Sequence, residues 1–222
     1  MKFKSLVLVP VMLMLFVSHA HAIPINSGSS FNVDWFVDLN DATTSSDLTA
    51  SSTWTVSSYS SSSIVLDILI SNTTVLDPGT LDNAAIVSFG FGVSPNATGA
   101  LSIAGGVFDL VGTGSGPQQT FPGGFKAIDI CLFADGCAGG NVNNGLQAGA
   151  SDSLQVTLTA LTGSSFGDTT DLLFFPVKFQ TSLGSYEPGG CVNCVNVPEP
   201  GMVGLLAIGI IVVAVARRRV VV

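Results

Sequence analysis

The chain has 222 residues, of which 47% are hydrophobic and 10% are charged, and its formal net charge is −8. Residues 23–196 carry two lysines against 14 acidic residues, a formal charge of −12, which excludes nucleic acid and anionic membrane surfaces as direct partners of this part of the chain. Both histidines lie before residue 22, so residues 23–196 cannot form a Ser-His-Asp or Cys-His catalytic site or the usual histidine-rich zinc site.

Residues 1–22 have the three parts of a secretory signal peptide. Two lysines near the start precede an apolar segment over 6–17, and Ala20 and Ala22 flank His21 in a small-x-small cleavage site. We expect the secretion translocon to export the chain and signal peptidase to cut after Ala22.

Residues 23–186 are rich in Ser, Thr, Gly, Asn, Val and aromatic residues and poor in strong helix formers, a composition that favours β structure. Apolar and polar residues alternate with period two, as in strands with one buried face, in four segments: 31–37, 64–70, 85–93 and 152–160. Further strands are predicted at 53–58, 106–111, 125–133 and 172–181. About eight strands separated by turns predict a mainly β fold, an antiparallel β-sandwich ectodomain.

The segment 85–93 gives the most detailed prediction of side-chain direction. Strict alternation places one set of apolar side chains on a single face, with Gly90 and Gly92 on the other. The apolar set is Ala85, Val87, Phe89, Phe91 and Val93.

Two low-complexity stretches carry little chemical information. The glycine-rich stretch 112–117 lacks the Lys-Ser/Thr and the helix of a phosphate-binding loop, so we interpret it as a flexible connection. The serine run over 57–63, interrupted only by Tyr59, is either a polar hairpin or a target for O-glycosylation.

Four cysteines lie in the exported region. Their even number predicts two disulfides, and we favour local pairing of Cys131 with Cys137 and of Cys191 with Cys194 among the three connectivities. A four-cysteine zinc site is an alternative, although the first pair has C-x5-C spacing. A redox-active pair at 191–194 is another, although the pair lies among glycines and asparagines rather than at a helix N-terminus.

Two groups of aspartates are candidate calcium ligands. Aspartates at 34, 38, 41 and 47, and at 77 and 82, are close enough in sequence to suggest a calcium-stabilised loop, but none has the Asp-x-Asp-x-Asp-Gly spacing, and solvated carboxylates are the commoner explanation. A glycosidase with a glutamate pair is not supported, because Glu187 is the one glutamate before the C-terminal segment; an aspartate pair stays open.

The C-terminal region begins with a Gly/Pro/Cys linker over 187–197. An uncharged apolar segment over 201–216 follows, and it ends at Arg217, Arg218 and Arg219. Sixteen helical residues reach about 24 Å, slightly less than a ~30 Å hydrocarbon core, so we expect one short transmembrane helix; a buried core helix is the alternative. Basic residues at both ends of the chain predict that both ends are cytoplasmic and the middle lies outside.

The segment 198–222 resembles the PEP-CTERM sorting signal of Gram-negative bacteria that make extracellular polysaccharide. The resemblance rests on Pro198, Glu199 and Pro200, the apolar segment and the arginine cluster. It implies a protein handed to an exosortase, a membrane-embedded cysteine transpeptidase-like enzyme that recognises and removes the segment. The protein would be anchored in the inner membrane before processing and would then reach the cell surface or extracellular matrix. A plain membrane anchor is the alternative.

The function of the ectodomain is less constrained than its destination. We expect a non-enzymatic structural or adhesive unit, associated with exopolysaccharide and needing no cofactor or metal. Its cysteines are similar to those of the PEP-CTERM subfamily called cistern. The alternative is a carbohydrate-binding module or polysaccharide-processing enzyme on the same scaffold, with Trp35, Trp54 or Tyr59 as sugar-stacking platforms.

Overall fold

A computed structural model describes residues 22–39, 46–113, 121–125 and 128–194. These ranges hold fourteen β-strands and no α-helix. In chain order the strands are β1 (Ala22–Ile25), β2 (Ser30–Val37), β3 (Leu48–Tyr59), β4 (Ser63–Asn72), β5 (Ala84–Ser94), β6 (Ala97–Ile103), β7 (Leu110–Thr113), β8 (Ile130–Phe133), β9 (Leu146–Gln147), β10 (Ser151–Ala160), β11 (Thr170–Leu173), β12 (Val177–Thr181), β13 (Ser185–Tyr186) and β14 (Cys191–Val192). The mainly β prediction is confirmed.

The signal sequence up to residue 21, and the sorting segment with its apolar run and arginines, lie outside the described residues. Within the described ranges no helix has the length and hydropathy needed to cross a membrane.

One sheet has six strands in the order β14-β2-β3-β4-β10-β6, every neighbouring pair being antiparallel. Its long strands alternate between buried and exposed residues, as their sequences predict. The inward set is Phe31, Val33, Trp35, Ile64, Leu66, Ile68, Ile70, Leu154, Val156 and Leu158.

The other sheet has eight strands arranged around β5. Along one edge of β5 lie β11 and then β12, and along its other edge lie β8 and β9. The outer strands are β1 beside β11, β13 beside β12 and β7 beside β8. All of these pairs are antiparallel, so every named strand pairing in the described chain is antiparallel.

The two sheets share an aromatic core. The ring of Trp54 from β3 meets Phe91 of β5 edge-on at 5.1 Å between centroids and meets Phe175 at 5.5 Å. Phe31 of β2 stacks on the indole at 5.7 Å between centroids. These contacts join residues from both sheets in one hydrophobic cluster, as a sandwich requires.

The predicted alternation along 85–93 is wrong in its first half. The register of β5 against β12 shifts between Ser88 and Ile86, so Val87 is the extra residue of a β-bulge. Ile86 therefore joins the shared core along with Phe89 and Phe91, whereas Ala85 and Val87 do not. A bulge changes the parity of every residue before it, and local periodicity does not reveal it.

The outer face of β5 is covered by described residues that come before and after β8. Phe121, Ile128 and Cys131 form a second, smaller hydrophobic cluster, and Ser88 donates from Oγ to the Cys137 carbonyl at 3.0 Å. A Cβ on Gly90 would lie 2.7 Å from the Ile130 carbonyl oxygen. The outer face of this sheet is therefore packed against its own chain.

Three predicted strands differ from those observed. The segment 106–109 is a loop because the Asp152 carboxylate accepts hydrogen bonds from the backbone N–H groups of residues 106, 107 and 108 at 2.7–2.9 Å. In the segment 125–133 the strand begins only at Ile130. The segment 172–181 is divided into β11 and β12, since Phe174 and Phe175 have φ of 72° and 47° and Pro176 offers no N–H.

Candidate functional site: the exit to the C-terminal segment

The last described strand attaches the end of the ectodomain to the six-stranded sheet. Strand β14 pairs with β2, with Cys191 opposite Asp34 and Val192 opposite Val33. Asn193 continues the pairing: its N–H donates to the Asn32 carbonyl at 2.8 Å, and its side-chain oxygen accepts from the Asn32 N–H at 3.0 Å. Asn193 has a φ of 50°, which asparagine tolerates better than most residues. The backbone edge of β2 is thereby paired over residues 32–34.

A carbonyl oxygen that accepts two hydrogen bonds fixes the chain just before β14. The Phe175 carbonyl oxygen accepts hydrogen bonds from Trp35 Nε1 and from the Gly190 N–H, both at 2.7 Å. A Cβ at position 190 would overlap Cγ1 of Val33 and would lie 2.7 Å from Trp35 Nε1. Glycine is therefore required there for the backbone to reach the sheet.

Residues 187–194, the described part of the predicted linker, lie against the sandwich. Glu187 forms an ion pair with Lys178 of β12 at 2.8 Å, with side-chain exposures of 18% and 8%. The Pro188 carbonyl accepts from the Val177 N–H at 3.1 Å, and Gly189 forms a bridge with Pro176. The folded unit therefore continues past residue 186 up to Cys194.

Both predicted disulfides are present. Cys131 pairs with Cys137 and Cys191 with Cys194, with Cα–Cα distances of 6.0 and 5.6 Å. All four cysteines are oxidised, so none offers a thiolate to zinc or to redox exchange in this structure. The first disulfide lies in the cover of β5, and the second closes the turn at the end of β14.

The described chain ends at Cys194, at one end of the sandwich, which we call the exit end. Strand β14 runs antiparallel to β2, so Cys194 lies toward the residues where β2 begins. The strand pairings place the loops 26–29, 60–62, 95–96 and 161–169 at this same end. The serine run is a polar hairpin here: the Ser60 N–H donates to the Ser63 carbonyl at 2.8 Å, and the Ser63 N–H to Ser60 Oγ at 3.0 Å.

Two of the three aromatic residues considered as sugar platforms are buried, and Trp35 lies on the apolar face of its strand, as alternation predicts. Trp35 and Trp54 are 2% and 0% exposed, because their positions alternate toward the shared core. Tyr59 is partly exposed, and its hydroxyl group bonds to Thr170 Oγ1 at 2.9 Å. It lies in an open cleft of about 490 Å³ at the exit end, lined by Asn26, Ser27, Tyr59, Ser60, Ser61, Phe166, Gly167 and Asp168.

A second concave surface lies on the outer face of the six-stranded sheet. This outer groove, of about 350 Å³, is lined by Thr53, Thr55, Asp67, Ile68, Leu69, Ile103, Ser153, Leu154 and Gln155. Gln155 Nε2 donates to Asp67 Oδ1 at 2.7 Å, while Leu69 and Ile103 are 49% and 59% exposed. Sequence reasoning did not identify the groove, although the outward positions of the alternating strands contained its residues.

Several aspartates accept hydrogen bonds that fix turns and loops. Asp77 accepts from Thr80 Oγ1 at 2.7 Å, and Asp82 accepts from the Gly79 N–H at 2.8 Å, so both fix one turn. Exposed Asp135 has a pKa below its ordinary value because the Asn141 N–H and the Asn144 amide donate to its carboxylate. Asp41 lies outside the described residues, and the part of the chain that the structure describes has no cluster of three or more His, Cys, Asp or Glu side chains suited to a metal.

The fold is a disulfide-bonded β-sandwich whose last described residue, Cys194, precedes a C-terminal segment. Residues 196–219 of that segment match the family model of the PEP-CTERM protein-sorting motif. The chain therefore carries the PEP-CTERM sorting motif that the resemblance predicted, and the match includes Pro198, Glu199, Pro200 and the three arginines. Comparison with curated proteins and with solved structures gives no significant match.

Proposed function

We propose that this chain is an exported protein whose C-terminal segment is processed by an exosortase, and whose ectodomain is a non-enzymatic structural or adhesive unit of the cell surface or exopolysaccharide matrix. The observation that carries the proposal is the sorting motif, matched from residue 196, directly after the disulfide-closed turn at Cys194. Two disulfides support export, because such bonds persist in oxidising compartments. The signal-peptide pattern of residues 1–22 supports it independently.

The order of the elements supports a role for the sandwich in presenting the motif. Pairing to β2 fixes the chain up to Cys194, and three residues then precede Pro198. Proline fixes its own φ and disfavours helix in the residue before it. Glu199, held between two prolines, is the one charged residue between Glu187 and Arg217. An enzyme at the bilayer surface would thus be offered a stiff peptide with a single charge.

The residues that line the outer groove support the non-enzymatic assignment. The outer groove carries hydroxyl and amide groups, one carboxylate and aliphatic side chains. That carboxylate belongs to Asp67, whose Oδ1 accepts a hydrogen bond from Gln155 Nε2. Hydrogen-bonding groups without an activated nucleophile suit adhesion better than hydrolysis.

The test of sorting compares native protein with Glu199→Ala and Pro200→Ala in a host that has its exosortase. We expect the native protein to be shortened and found outside the inner membrane, and both variants to stay full-length within it. Asp109→Ala, which removes an exposed carboxylate from the sandwich, is the matched control and should be processed normally. Equal shortening and release of native and variant protein would reduce the segment to a plain anchor.

Carbohydrate binding in the outer groove is a second candidate function. The juxtaposition of Thr53, Asp67 and Gln155 with exposed Leu69 favours it, since sugars need both hydrogen-bonding groups and an apolar contact surface. The processed protein should bind members of a glycan array, and Gln155→Ala should weaken that binding. A parallel hydrolase screen separates binding from polysaccharide processing: turnover of any glycan would replace the adhesive assignment with an enzymatic one.

A further inference from the structure

The connection between the sandwich and the sorting motif is short. Residues 195–197 separate Cys194, which is held by its disulfide and by the neighbouring pairing of Asn193 with Asn32, from Pro198. An extended chain spans at most about 3.6 Å per residue, so the Cα atoms of Cys194 and Pro198 are at most about 14 Å apart. A protein that holds the motif is therefore kept beside the exit end.

The β3–β4 hairpin extends beyond the start of β2 at that end. Ser30, the first residue of β2, pairs with Thr55, and β3 continues beyond this point to Tyr59 before the tip at 60–62. At about 3.3 Å per residue, and with one bulge between Val56 and Ser58, the tip lies roughly 15–20 Å beyond Thr55. The tip therefore lies beyond the start of β2 by about the length that the connection to the motif can span.

The hairpin tip is held in place by the rest of the sandwich. The Phe166 N–H donates to the Ser61 carbonyl at 2.8 Å, and the Ala160 N–H donates to the Ser62 carbonyl at 3.1 Å. Its three serine side chains are exposed, and the adjoining cleft adds Asn26, Ser27 and the ring of Tyr59. A fixed surface loses little conformational entropy when it meets a partner.

The charge of this surface differs from that of the exported region as a whole. Residues 23–196 carry a formal charge of −12, yet the serine run over 57–63 has no charged residue, and Asp168 is the one charged residue among those lining the cleft. Neutral hydroxyl and amide groups can approach an anionic bilayer and an enzyme embedded in it without like-charge repulsion.

We propose that the exit end of the sandwich, led by the hairpin tip at Ser60, Ser61 and Ser62, is a docking surface that contacts the exosortase while the enzyme holds the sorting motif. This inference rests on the proposed function, because the exosortase is its partner. The hairpin and the motif then form two parts of one recognition surface.

The test is site-specific photo-crosslinking of the full-length chain in a host with its exosortase. A photo-reactive amino acid is placed at Ser61 in one variant and at Ser182, an exposed serine in the turn at the opposite end, in the matched control. A third variant carries it at Val197, beside the motif, and reports whether the enzyme engages the segment at all. Ser27, exposed in the same cleft, gives an independent position if the Ser61 variant does not fold.

We expect crosslinks to the exosortase from Val197 and from Ser61 or Ser27. The crosslinking yield from Ser182 should be at least about five-fold lower, because that end is held away from the enzyme. Crosslinking from Val197 together with equal yields from Ser61, Ser27 and Ser182 would overturn the docking surface and leave the proposed function intact. If Val197 also gave no crosslink to the exosortase, both the docking surface and the proposed function would be overturned.

Discussion

The outer faces of the two sheets are built differently. In the eight-stranded sheet, β5 is buried from Ala84 to Val93, because described residues before and after β8 pack on its outer side. In the six-stranded sheet, β3, β4 and β10 alternate between buried and exposed residues, and their outer face holds an open groove. The central strand β5 is therefore buried on both of its faces, whereas the six-stranded sheet has one face in contact with solvent.

The covered face of β5 should therefore contribute to stability, whereas the open face of the six-stranded sheet is available for recognition. Substitutions on the outer side of β5 must disturb packed atoms, whereas outward substitutions on the six-stranded sheet meet solvent. Effects on the free energy of unfolding should therefore fall from the shared core, through the covered face, to the open face.

The largest effect is expected in the core that both sheets share. Trp54→Ala removes the indole that packs against Phe31, Phe91 and Phe175, and should lower the free energy of unfolding by about 3–5 kcal/mol. Urea denaturation followed by circular dichroism measures it. Phe36→Ala, at an exposed aromatic residue of β2, should change it by less than about 0.5 kcal/mol. Similar losses in the two variants would refute the shared-core assignment.

The covered face should respond to a single methyl group. A Cβ on Gly90 would lie 2.7 Å from the Ile130 carbonyl oxygen and 2.9 Å from Ile128 Cγ2, so Gly90→Ala should destabilise the fold by about 1–3 kcal/mol. At Gly139 an added Cβ meets no atom within 4 Å, and Gly139→Ala should be nearly neutral in the same denaturation experiment. A neutral Gly90→Ala would mean that the cover on β5 is loose.

A carboxyl group beside β5 should make stability depend on pH. Burial raises the pKa of Asp129 above its ordinary value of 3.8, although the hydrogen bond that it accepts from the Val93 N–H acts in the opposite direction. The folded chain thus binds this proton more tightly than the unfolded chain, so the contribution of Asp129 is greatest below pH 3.8 and is lost as the pH rises through the raised pKa. Asp129→Asn should therefore stabilise the protein at pH 7, with a gain that disappears below pH 3.8.

Exposed Asp135 provides a control of opposite sign for that experiment. Its pKa is lowered by hydrogen bonds from Asn141 and Asn144, so its contribution is present above its unfolded pKa and is lost as the pH falls. Asp135→Asn should thus destabilise at pH 7, as measured by urea denaturation at the two pH values. The same sign of change in both variants would contradict these assignments.

The smallest effect is expected on the open face. Thr53→Ala removes an outward hydroxyl whose hydrogen bond is to the exposed side chain of Asn32, at 3.0 Å. The free energy of unfolding should change by less than about 0.5 kcal/mol in thermal or urea denaturation. A loss above 1 kcal/mol would place the outer groove among the stabilising parts of the fold.

Much of the fold follows from patterns within single segments. The inward residues of β2, β4 and β10 were predictable because alternation with period two is a property of each strand alone. Local disulfides were predictable since partners three and six residues apart need no knowledge of the fold. The sorting motif was recognisable for the same reason, being contained in 24 consecutive residues.

The sequence by itself thus determined the β class, the cysteine pairs and the sorting motif, all of which depend on residues near one another in the chain. Tertiary structure decided the bulge at Val87, the division between β11 and β12, the hydrogen bond from Trp35 to the Phe175 carbonyl and the attachment of β14 to β2. These features depend on distant partners: Trp35 Nε1 bonds to a carbonyl 140 positions away, and Asn32 to a side chain 161 positions away. No local pattern specifies such partners, because they become neighbours only when the two sheets pack together.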